Sequence, residues 1–354
     1  MKIAFDAKRY YHNHTGLGNY SRTLVTALQQ QFPENEYVLY DEKFLTRTFK
    51  MGRKAQNDGC QVLHGLSNEL PLDSRKTGIK TVVTIHDVAW RTFPDMYHFI
   101  DRQLYDMKYG WAARNADVVV AISESTKQDV MRFYNVPEEH IEVIYQPVTE
   151  LFYTPLERTE ARKLLDASVP NLPQEYLLSV GSINSRKNLL GTLQALARID
   201  AENRPPLVVV GRGREYMREC QQFASQHLRQ SDIIWFNHLD DLALLQALYT
   251  HAMALLYPSH YEGFGLPVVE SLLQGTPVLT STVSSLPEAA GPGGLLVNPT
   301  DIDEMTSQLK RLIDDEALRH RLATEGEAYC RSHFTTQGMA EQMMNVYRDA
   351  SEFL

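Results

Sequence analysis

Two glutamates in the second half of the chain lie where they could hold an anionic ligand that carries hydroxyl groups. Glu262 lies in a glycine-rich turn, and Glu270 follows eight positions later, inside the helix that this turn opens. Gly263 and Gly265 have no side chains, so backbone N–H groups there can approach phosphate oxygens closely. Carboxylates accept hydrogen bonds from sugar or ribose hydroxyls. The pattern therefore predicts a site for an anion rich in hydroxyl groups.

Other polar loops follow predicted strands. Doubly wound sheets bind ligands beyond the carboxyl ends of their strands, near helix N-termini whose N–H groups and dipole favour anions. His86 and Asp87 follow a strand of the first half and are predicted to project into a cleft between two domains. The candidate loops of the second half are Gly181–Asn188, Gly211–Gly213, Asn237–Asp241 and Ser259–Pro267.

The elements that position these loops are short β-branched runs alternating with helical patterns, which is typical of parallel sheets buried on both faces. The predicted strands are Lys2–Asp6, Tyr37–Tyr40, Val62–His64, Thr81–Ile85, Asp117–Ala121, Ile141–Tyr145, Tyr176–Val180, Leu207–Val210, Ile233–Phe236, Met253–Tyr257, Val278–Thr280 and Leu295–Val297. Helices are predicted at Asn19–Gln31, from an N-cap at Ser123 to Tyr134, at Asp301–Asp314 and at Thr335–Phe353. The fold class is α/β, with two Rossmann-like doubly wound domains facing each other across a cleft.

The length of 354 residues favours two domains. Between Pro147 and Pro173 the alternation loosens around four prolines, and we place the linker there. The predicted domains are residues 1–160 and 170–334, and the helix at 335–354 is expected to return to the first domain.

Composition excludes several classes of protein. Hydrophobic residues make up 43% and charged residues 22%, as in ordinary globular proteins, and the net charge of -9 argues against general nucleic-acid binding. Cys60, Cys220 and Cys330 are too far apart for a disulfide framework or a paired metal site. No apolar run approaches the roughly 20 residues that span a bilayer, and the N-terminus lacks a signal-peptide pattern. A cytoplasmic protein is expected.

One basic stretch departs from the acidic balance. Residues 43–54 carry five Lys and Arg residues and no acid. A solvated surface is one interpretation. Weak peripheral contact with anionic lipid, at the inner face of the cytoplasmic membrane, is the other.

The segment SHYEGFGLPVVESLLQGTP, residues 259–277, resembles the Glu-x7-Glu motif of retaining glycosyltransferases of family 4, which have the GT-B fold. Further segments match that family in order along nearly the whole chain, and ordered matches of several motifs rarely mislead. The resemblance implies an acceptor-binding first domain and a nucleotide-sugar-binding second domain. The matching segments are TGLGNYSRTL, TIHDV, ADVVVAISESTKQDV, VGSINSRKNL, VVVGRG, HLDDLALLQALYTHAMALLYPS and GGLLVNPTD.

Residue by residue, the resemblance implies a donor site in the second domain. Glu270 would hold the donor ribose, Glu262 the hydroxyls of the transferred sugar, and Lys187 would neutralise the departing diphosphate. Backbone contacts with the donor would come from Gly263, Phe264, Gly265 and Leu266. Contacts with the nucleobase side of the donor would come from Gly211, Arg212, His238 and Leu239. The alternative for these last four residues is that they only form ordinary turns.

The chain departs from the family's commoner pattern after Gly181. That pattern has an arginine there, whereas this chain has Ser182, which is assigned to the donor-binding residues. Arg186 is predicted to supply the missing charge, because a guanidinium can bind phosphate in a bidentate manner. A surface arginine without a partner is the alternative.

In the first domain the resemblance places His86 near the donor sugar, with Asp87 beside it on the acceptor side. The alternative for His86 is a buried ring that hydrogen-bonds to the backbone. Gly16 and Gly18 are assigned an acceptor or phosphate contact. They do not form the dinucleotide-binding GxGxxG, because Ser21 occupies the place of the third glycine.

We expect neither a metal nor a cofactor. Asp301-Ile302-Asp303 spells the DxD pattern of metal-dependent glycosyltransferases of another fold. However, it opens a predicted helix, where acids favour the dipole and a cap is expected. The sequence has no HExxH, no EF-hand loop and no paired Cys/His spacing.

The resemblance implies a retaining glycosyltransferase that moves a hexose from GDP-mannose or a UDP-sugar to a hydroxyl of a glycan or lipid-linked glycan. The TGLGNY and SINSRKN forms resemble bacterial mannosyltransferases of surface-polysaccharide assembly, which favours mannose. The alternatives are another GT-B sugar-nucleotide enzyme, such as an epimerase or phosphorylase, and a non-catalytic sugar-nucleotide-binding protein. A nicotinamide oxidoreductase would need the full GxGxxG.

Overall fold

The protein divides into two compact units. A computed structural model describes residues 1–13, 16–237, 239 and 241–352. The first unit comprises Met1–Pro147 and Phe334–Leu354, and the second comprises Val148–His333. Within the described residues each unit contains one six-stranded sheet, and the pairings in both sheets are parallel.

The first unit has the strand order β2-β1-β3-β4-β5-β6. Neighbouring residues such as Val82 and Val83 are both fully buried, as expected for a sheet covered on both faces. Its strands are β1 Lys2–Asp6, β2 Glu36–Tyr40, β3 Val62–Gly65, β4 Lys80–Ile85, β5 Val118–Ala121 and β6 Ile141–Val143. Its first seven helices are α1 Lys8–His12, α2 Gly16–Gln31, α3 Phe44–Phe49, α4 Met51–Asn57, α5 Ala89–Thr92, α6 Phe99–Asn115 and α7 Glu124–Tyr134.

The second unit has the strand order β12-β11-β10-β7-β8-β9. Its core is aliphatic, with Leu177, Leu207 and Leu193 fully buried between sheet and helices. Its strands are β7 Leu177–Val180, β8 Leu207–Val210, β9 Ile233–Phe236, β10 Ala254–Tyr257, β11 Val278–Ser281 and β12 Gly294–Val297. Its helices are α8 Arg158–Ser168, α9 Leu189–Ala197, α10 Glu215–His227, α11 Leu242–His251, α12 Leu266–Leu273, α13 Leu286–Ala290, α14 Ile302–Asp314 and α15 Glu316–His333.

The predicted strands are confirmed, and their ends agree with the prediction to within two residues. Two predicted helix caps are also present. The Ser123 hydroxyl accepts a hydrogen bond from the Thr126 N–H at 3.0 Å, and the Asp301 carboxylate accepts one from the Glu304 N–H at 2.9 Å. Asp301 therefore acts as the N-cap of α14.

The boundary between the units lies earlier than the proline-rich stretch suggests. Residues from Val148 onward belong to the second unit, where hydrogen bonds join their segment to α11. The Gln246 amide donates to the carbonyls of Leu151 at 3.2 Å and Thr154 at 2.7 Å. Arg158 of α8 donates to the His251 carbonyl at 3.2 Å. Much of the stretch read as a linker is thus packed structure.

The last helix, α16, spans Thr336–Glu352 and packs in the first unit against α2. Its buried face includes Met343 and Tyr347, which join the core formed by β1 and α2. The Tyr347 hydroxyl lies 2.6 Å from Nδ1 of buried His64. The chain therefore enters the first unit twice, and a segment remote in sequence completes its core.

None of the described helices combines the length and apolarity needed to cross a bilayer.

Replacing Tyr347 by Ala should strongly destabilise the first unit. The side chain is fully buried, so its loss should lower the free energy of unfolding by about 3–5 kcal/mol, whereas Tyr347→Phe should cost about 1 kcal/mol through the lost hydrogen bond. Urea unfolding followed by circular dichroism measures both values. Asn345→Ala, an exposed position on the same helix, is the control. If Tyr347→Ala were as stable as that control, α16 would not belong to the core.

Candidate functional site

The strand order of the second sheet creates a crevice between β7 and β10. These strands are neighbours, but the chain continues from β7 toward β8 and β9 on one side and from β10 toward β11 and β12 on the other. The loops that follow the two strands therefore diverge, and ligands of doubly wound sheets bind at such a switch point. The loops concerned are Gly181–Asn188 and Pro258–Gly265.

The loop after β10 is held in one conformation by glycine and serine. Gly265 has φ 111°, a left-handed conformation that favours glycine, and a side chain there would meet Leu286 at 2.9 Å. The Ser285 hydroxyl donates to the carbonyls of Glu262 at 2.9 Å and Phe264 at 2.8 Å. The Glu262 N–H donates to the Ser284 hydroxyl at 3.0 Å. These bonds fix the backbone that carries Glu262.

The loop after β7 is fastened to the loop after β10. Asn188 has φ 57°, and its buried amide donates to the Pro258 carbonyl at 3.1 Å and the Pro299 carbonyl at 2.7 Å. The His260 N–H donates to the Arg186 carbonyl at 2.8 Å. The short 3-10 turn Ser185–Lys187 is capped by the Asn184 side chain. Arg186 and Lys187 are therefore presented from a fixed backbone.

Three charged side chains meet where these loops approach each other. Arg186 Nη1 lies 2.9 Å from Oε2 of Glu262, and Lys187 Nζ lies 2.6 Å from Oε1. Arg186 also donates to the Tyr261 carbonyl at 2.5 Å, and Lys187 donates to the Tyr257 hydroxyl. We call Arg186, Lys187 and Glu262 the charge cluster. Two cations against one carboxylate leave it with one net positive charge.

Glu262 stays ionised in this setting. The residue is 7% exposed, and burial raises the pKa of a carboxyl group because it disfavours the charged form. The charges of Lys187 and Arg186 outweigh that effect, so the pKa of Glu262 lies below its ordinary value. Both cations therefore contact a carboxylate rather than a neutral acid.

Glu270 has the opposite electrostatic setting. It lies in the second turn of α12, and the Tyr249 hydroxyl donates to its Oε2 at 2.8 Å. Burial raises the pKa of Glu270 to about 7, against a smaller lowering by this hydrogen bond. The two glutamates of the motif thus differ in charge at neutral pH, Glu262 being ionised and Glu270 partly protonated.

The other donor-side residues predicted in the second unit lie in the loops that follow β7, β8, β9 and β10. Gly263, Phe264, Gly265 and Leu266 form the turn that opens α12. Ser182 is exposed, and its hydroxyl accepts from the Asn184 amide at 3.1 Å. Arg212 donates to the Asn237 carbonyl at 3.1 Å, and Leu239 is half-buried. His238 lies outside the described residues.

Gly211 has a structural reason to be glycine. A side chain at this position would meet the Gly181 carbonyl oxygen at 1.9 Å. The loops after β7 and β8 therefore touch through their backbones, as the bridge between Ile183 and Gly213 also shows. This close packing supports the interpretation that the glycines of this segment serve the turn itself. The contact of the segment with the nucleobase stays a prediction.

Sequence reasoning missed the residues that tie the site together. Tyr257, the last residue of β10, is buried, and burial followed by the nearby charge of Glu262 raises its pKa well above the ordinary value. Ser284 and Ser285 act from the loop after β11 on the turn that carries Glu262. The position of Tyr257 at a strand end beside a charged loop could have identified it as a site residue. No sequence pattern identifies Ser284 or Ser285.

In the first unit, His86 follows β4 and is buried with its hydrogen-bonding groups satisfied. Its Nε2 donates to the Leu66 carbonyl at 3.0 Å, and its backbone N–H donates to Asn68 Oδ1 at 2.8 Å. Burial lowers the pKa of His86, so the ring is neutral at physiological pH. This is the backbone-bonded arrangement that the sequence leaves open as an alternative. Asp87 Oδ1 accepts from the Ala89 N–H at 3.1 Å.

A chain of buried polar groups continues from His86 to the C-terminal helix. The Tyr20 ring meets the His86 ring edge-on, with centroids 4.7 Å apart. The Tyr20 hydroxyl lies 3.1 Å from Thr84 Oγ1, which lies 2.8 Å from Nε2 of His64. Since His64 also contacts Tyr347, α16 helps to position the residues beneath His86.

Gly16 and Gly18 differ in their surroundings. A side chain at Gly18 would meet the Asn13 carbonyl oxygen at 1.8 Å, whereas one at Gly16 would have no neighbour within 4 Å among the described residues. The Gly18 N–H donates to Asn13 Oδ1 at 3.2 Å. Packing therefore accounts for Gly18, and Gly16 opens α2 without such a constraint.

Glu270 should make the protein less stable as pH rises toward neutrality. Because its pKa is about 7 in the folded state and 4.5 ordinarily, the folded protein retains a proton that the unfolded chain releases between these values. The stabilising effect is full below the ordinary value and is lost as pH rises through 7. Glu270→Gln should therefore gain stability relative to the wild type between about pH 5 and about pH 8, measured by urea unfolding.

Glu262→Gln provides the matched control for that measurement. The pKa of Glu262 is lowered, so its stabilising effect is present above the ordinary value and is lost only as pH falls further. The difference in free energy of unfolding between Glu262→Gln and the wild type should therefore be the same at about pH 5 and about pH 8. If Glu270→Gln showed equally constant differences, the raised pKa of Glu270 would be contradicted.

The chain matches two family profiles that together cover most of its length. Residues 161–329 match "Glycosyl transferases group 1", and residues 16–150 match "Glycosyltransferase Family 4". The first of these segments contains the charge cluster and Glu270. The second contains His86, Asp87 and both glycines of α2.

Known proteins similar to this chain include a full-length relative and two solved structures. O-antigen chain mannosyltransferase B of Escherichia coli is 30% identical over 385 residues, covering 98% of this chain and 100% of that protein. Sucrose-phosphate synthase of Thermosynechococcus elongatus superimposes with a TM-score of 0.77 at 20% identity, covering 99% of this chain and 98% of that one. Anabaena HepE, in complex with UDP-glucose, superimposes with a TM-score of 0.75 at 16% identity, covering 99% of this chain and 100% of that one.

The two comparisons carry different kinds of information. The structural similarity lies below 25% identity and concerns the fold, whereas the sequence matches run through both units. Together they show that the chain belongs to glycosyltransferase family 4, the group 1 glycosyl transferases, and is a glycosyltransferase with the GT-B fold.

Proposed function

We propose that this glycosyltransferase moves a hexose, with retention of configuration, from a nucleoside-diphosphate sugar to a hydroxyl of a glycan or lipid-linked glycan. The observation that carries the proposal is the charge cluster at the switch point of the second sheet. It keeps a net positive charge beside the N-terminus of α12, and both features favour an anion. A diphosphate suits a guanidinium and an ammonium presented together.

The donor diphosphate would replace Glu262 as the partner of the two cations. Glu262 now accepts from both Arg186 and Lys187, and phosphate oxygens are competing acceptors for the same N–H groups. The displaced carboxylate would then accept hydrogen bonds from hydroxyls of the hexose. The same three side chains would thus bind both the diphosphate and the transferred sugar.

Glu270 and the turn before it would bind the rest of the donor. A carboxyl group whose pKa is about 7 can either accept from a ribose hydroxyl or donate to it, so its contact with the ribose does not require full ionisation. Gly263, Phe264, Gly265 and Leu266 would contribute backbone contacts. We assign the nucleobase side to Gly211, Arg212 and Leu239, and Ser182 to the edge of the site.

The chemistry places negative charge on the diphosphate. As the bond from the anomeric carbon to the diphosphate oxygen breaks, Lys187 and Arg186 stabilise the charge that grows on that oxygen. The acceptor hydroxyl attacks the same face of the oxocarbenium-like carbon, and its proton passes to the departing diphosphate. No enzyme nucleophile takes part, so the protein contributes positioning and electrostatics. The proposal requires no metal or cofactor, because the two cations carry this role.

We assign the acceptor to the first unit, at the carboxyl edge of its sheet. His86 and Asp87 follow β4 at this edge, and α2 begins there with Gly16 and Gly18. His86 would act as a neutral ring held in place by Leu66 and Tyr20. A catalytic role for it would then depend on its position rather than on its charge.

We further propose mannose as the hexose and GDP-mannose as the donor, with a UDP-sugar as the alternative. Similarity over the full length to an O-antigen chain mannosyltransferase supports mannose. We place the enzyme in the cytoplasm, in peripheral contact with the inner face of the cytoplasmic membrane. The exposed cations Lys43, Lys50 and Arg53 support that contact.

Removing the charge of Lys187 or of Glu262 should abolish most glycosyl transfer. Lys187→Ala and Glu262→Gln should each lower kcat by about 10²–10³-fold, as loss of a group that stabilises a transition state does. Lys310→Ala and Asp303→Asn, both exposed in α14, are the matched controls and should keep wild-type rates. Circular dichroism checks that all four proteins fold. Wild-type turnover in either cluster variant would refute the assigned site.

A panel of nucleotide sugars should rank GDP-mannose first as a ligand. A ligand that binds the folded state raises Tm in proportion to its occupancy, and Lys187→Ala should reduce the rise by weakening the hold on the diphosphate. Differential scanning fluorimetry with GDP-mannose, GDP, UDP-glucose and UDP measures this. If UDP-glucose produced the larger rise, the assigned nucleotide and sugar would both be wrong.

A further inference from the structure

Exposed apolar side chains are concentrated on two helices of the first unit. Among the described residues, the large hydrophobic side chains that remain exposed lie in that unit, apart from Leu242. Scattered apolar residues are normal on a protein surface, but a contiguous group usually marks a binding site. Those on α3 and α6 are Phe44, Leu45, Phe49, Phe99, Ile100, Leu104 and Met107.

Part of this group lines a cavity of about 430 Å³. We call it the α3–α6 cavity. Phe44 and Phe49 of α3 form one wall, and Leu104, Met107 and Trp111 of α6 form the other. Its volume falls in the range of about 300–1,000 Å³ that is usual for ligand pockets. A surface that is both concave and apolar suits an apolar ligand better than a flat protein partner.

The cavity lies at the carboxyl edge of the first sheet, where a ligand is expected. Its lining includes Asp6, the last residue of β1, and Glu69, four residues after the end of β3. β1 and β3 are neighbours between which the strand order of this sheet changes direction. This is the switch point of the first sheet, as the β7–β10 crevice is of the second.

An ion triad of Arg47, Asp6 and half-buried Glu69 closes one end of the cavity. Arg47 Nη2 lies 2.6 Å from Asp6 and its Nη1 lies 2.6 Å from Glu69. Arg47 and Asp6 are buried, so the basic stretch at 43–54 presents fewer surface cations than its sequence suggests. The triad carries one net negative charge, but each of its members has a partner and it fixes α3 to the sheet, so an apolar ligand need not strip water from an unpaired ion.

The rim of the cavity carries positive charge. Lys108 lines it, with Nζ 5.4 Å above the Phe44 ring, and exposed Lys43 and Lys50 flank α3. Glu42, which immediately precedes the basic stretch at 43–54, is paired with Lys54 at 2.5 Å. An apolar hollow with a cationic rim is complementary to a hydrocarbon chain with an anionic head.

We infer that the α3–α6 cavity binds the hydrocarbon chain of an anionic amphiphile, with the head group at Lys108, Lys43 and Lys50. We identify this amphiphile with the lipid-linked acceptor, an identification that rests on the proposed function. The chain anchors the acceptor at the edge of the sheet where β1 and β3 end. Substrate selection then includes the lipid part as well as the glycan.

The first experiment tests the cavity without reference to catalysis. Octyl, decyl and dodecyl phosphate, each below its micelle concentration, are titrated into the full-length protein by calorimetry. Affinity should rise by about threefold to fourfold per methylene, the fold-change that corresponds to burying one CH₂ group. Emission of Trp111 should shift to shorter wavelength, and Trp111→Phe should remove the shift. Affinity that does not depend on chain length would overturn the inference.

Two positions on α3 provide a matched pair. Phe49 and Leu45 are 52% and 69% exposed, but only Phe49 lines the cavity. Phe49→Ser, and as a second variant Leu104→Ser, should weaken dodecyl phosphate binding at least tenfold, whereas Leu45→Ser should bind like the wild type. Equal weakening in Leu45→Ser and Phe49→Ser would mean that the helix surface binds the chain, which would overturn the assignment to the cavity.

The second experiment connects the cavity to the acceptor. Transfer is measured with one glycan acceptor carrying an alkyl phosphate and with the same glycan free. Phe49→Ser should raise KM for the first at least tenfold and leave the second unchanged, with kcat equal in both. An unchanged KM for the alkylated acceptor would overturn its assignment to the cavity. If neither acceptor were glycosylated by the wild type, the proposed function would fail while the alkyl phosphate titration still decided the cavity.

Discussion

Two cations share one buried carboxylate at the centre of the second unit. Arg186 and Lys187 approach Glu262 from a loop that leaves one strand, and Glu262 lies on the loop that leaves its neighbour. The arrangement depends on the side chains of Asn188 and Ser285, which donate to backbone carbonyls and hold each loop in place. Because the cations exceed the carboxylate by one, the site remains attractive to a further anion. The proposed diphosphate site depends on this excess of charge.

Much of the fold could be predicted because it depends on local patterns. The strands are runs of Val, Leu and Ile, such as residues 207–210, and these mark a sheet buried on both faces wherever they occur. α6 was not predicted, because exposed Phe99, Ile100 and Met107 blur the spacing that identifies an amphipathic helix. The boundary near residue 148 depends on long-range bonds from Gln246, which no local pattern contains.

The candidate site was predictable in part for the same reason. Glu262, Glu270 and Lys187 stand in dense motifs, so their residue types and spacing point to a phosphate-bearing ligand. Their different ionisation could not be predicted, since it depends on the burial of Glu270 and on cations that reach Glu262 from 75 and 76 residues away. Arg186 was one of two open interpretations, and its contact with Glu262 shows that it has a partner.

The two sheets use the same geometric device for different chemistry. In the second sheet the diverging loops bring two cations to a carboxylate, whereas in the first Arg47 pairs with two carboxylates beside an apolar cavity. We therefore propose a charged donor at one switch point and an amphiphilic acceptor at the other. The core that supports the first is completed by α16, through Tyr347 and His64.

A bound sugar diphosphate should replace Glu262 as the partner of Arg186 and Lys187. A crystal structure of the protein with GDP-mannose tests this most directly. The account predicts diphosphate oxygens within hydrogen-bond distance of both Arg186 and Lys187, and Glu262 turned to the hexose hydroxyls. A donor bound away from these residues, with both ion pairs to Glu262 intact, would contradict it.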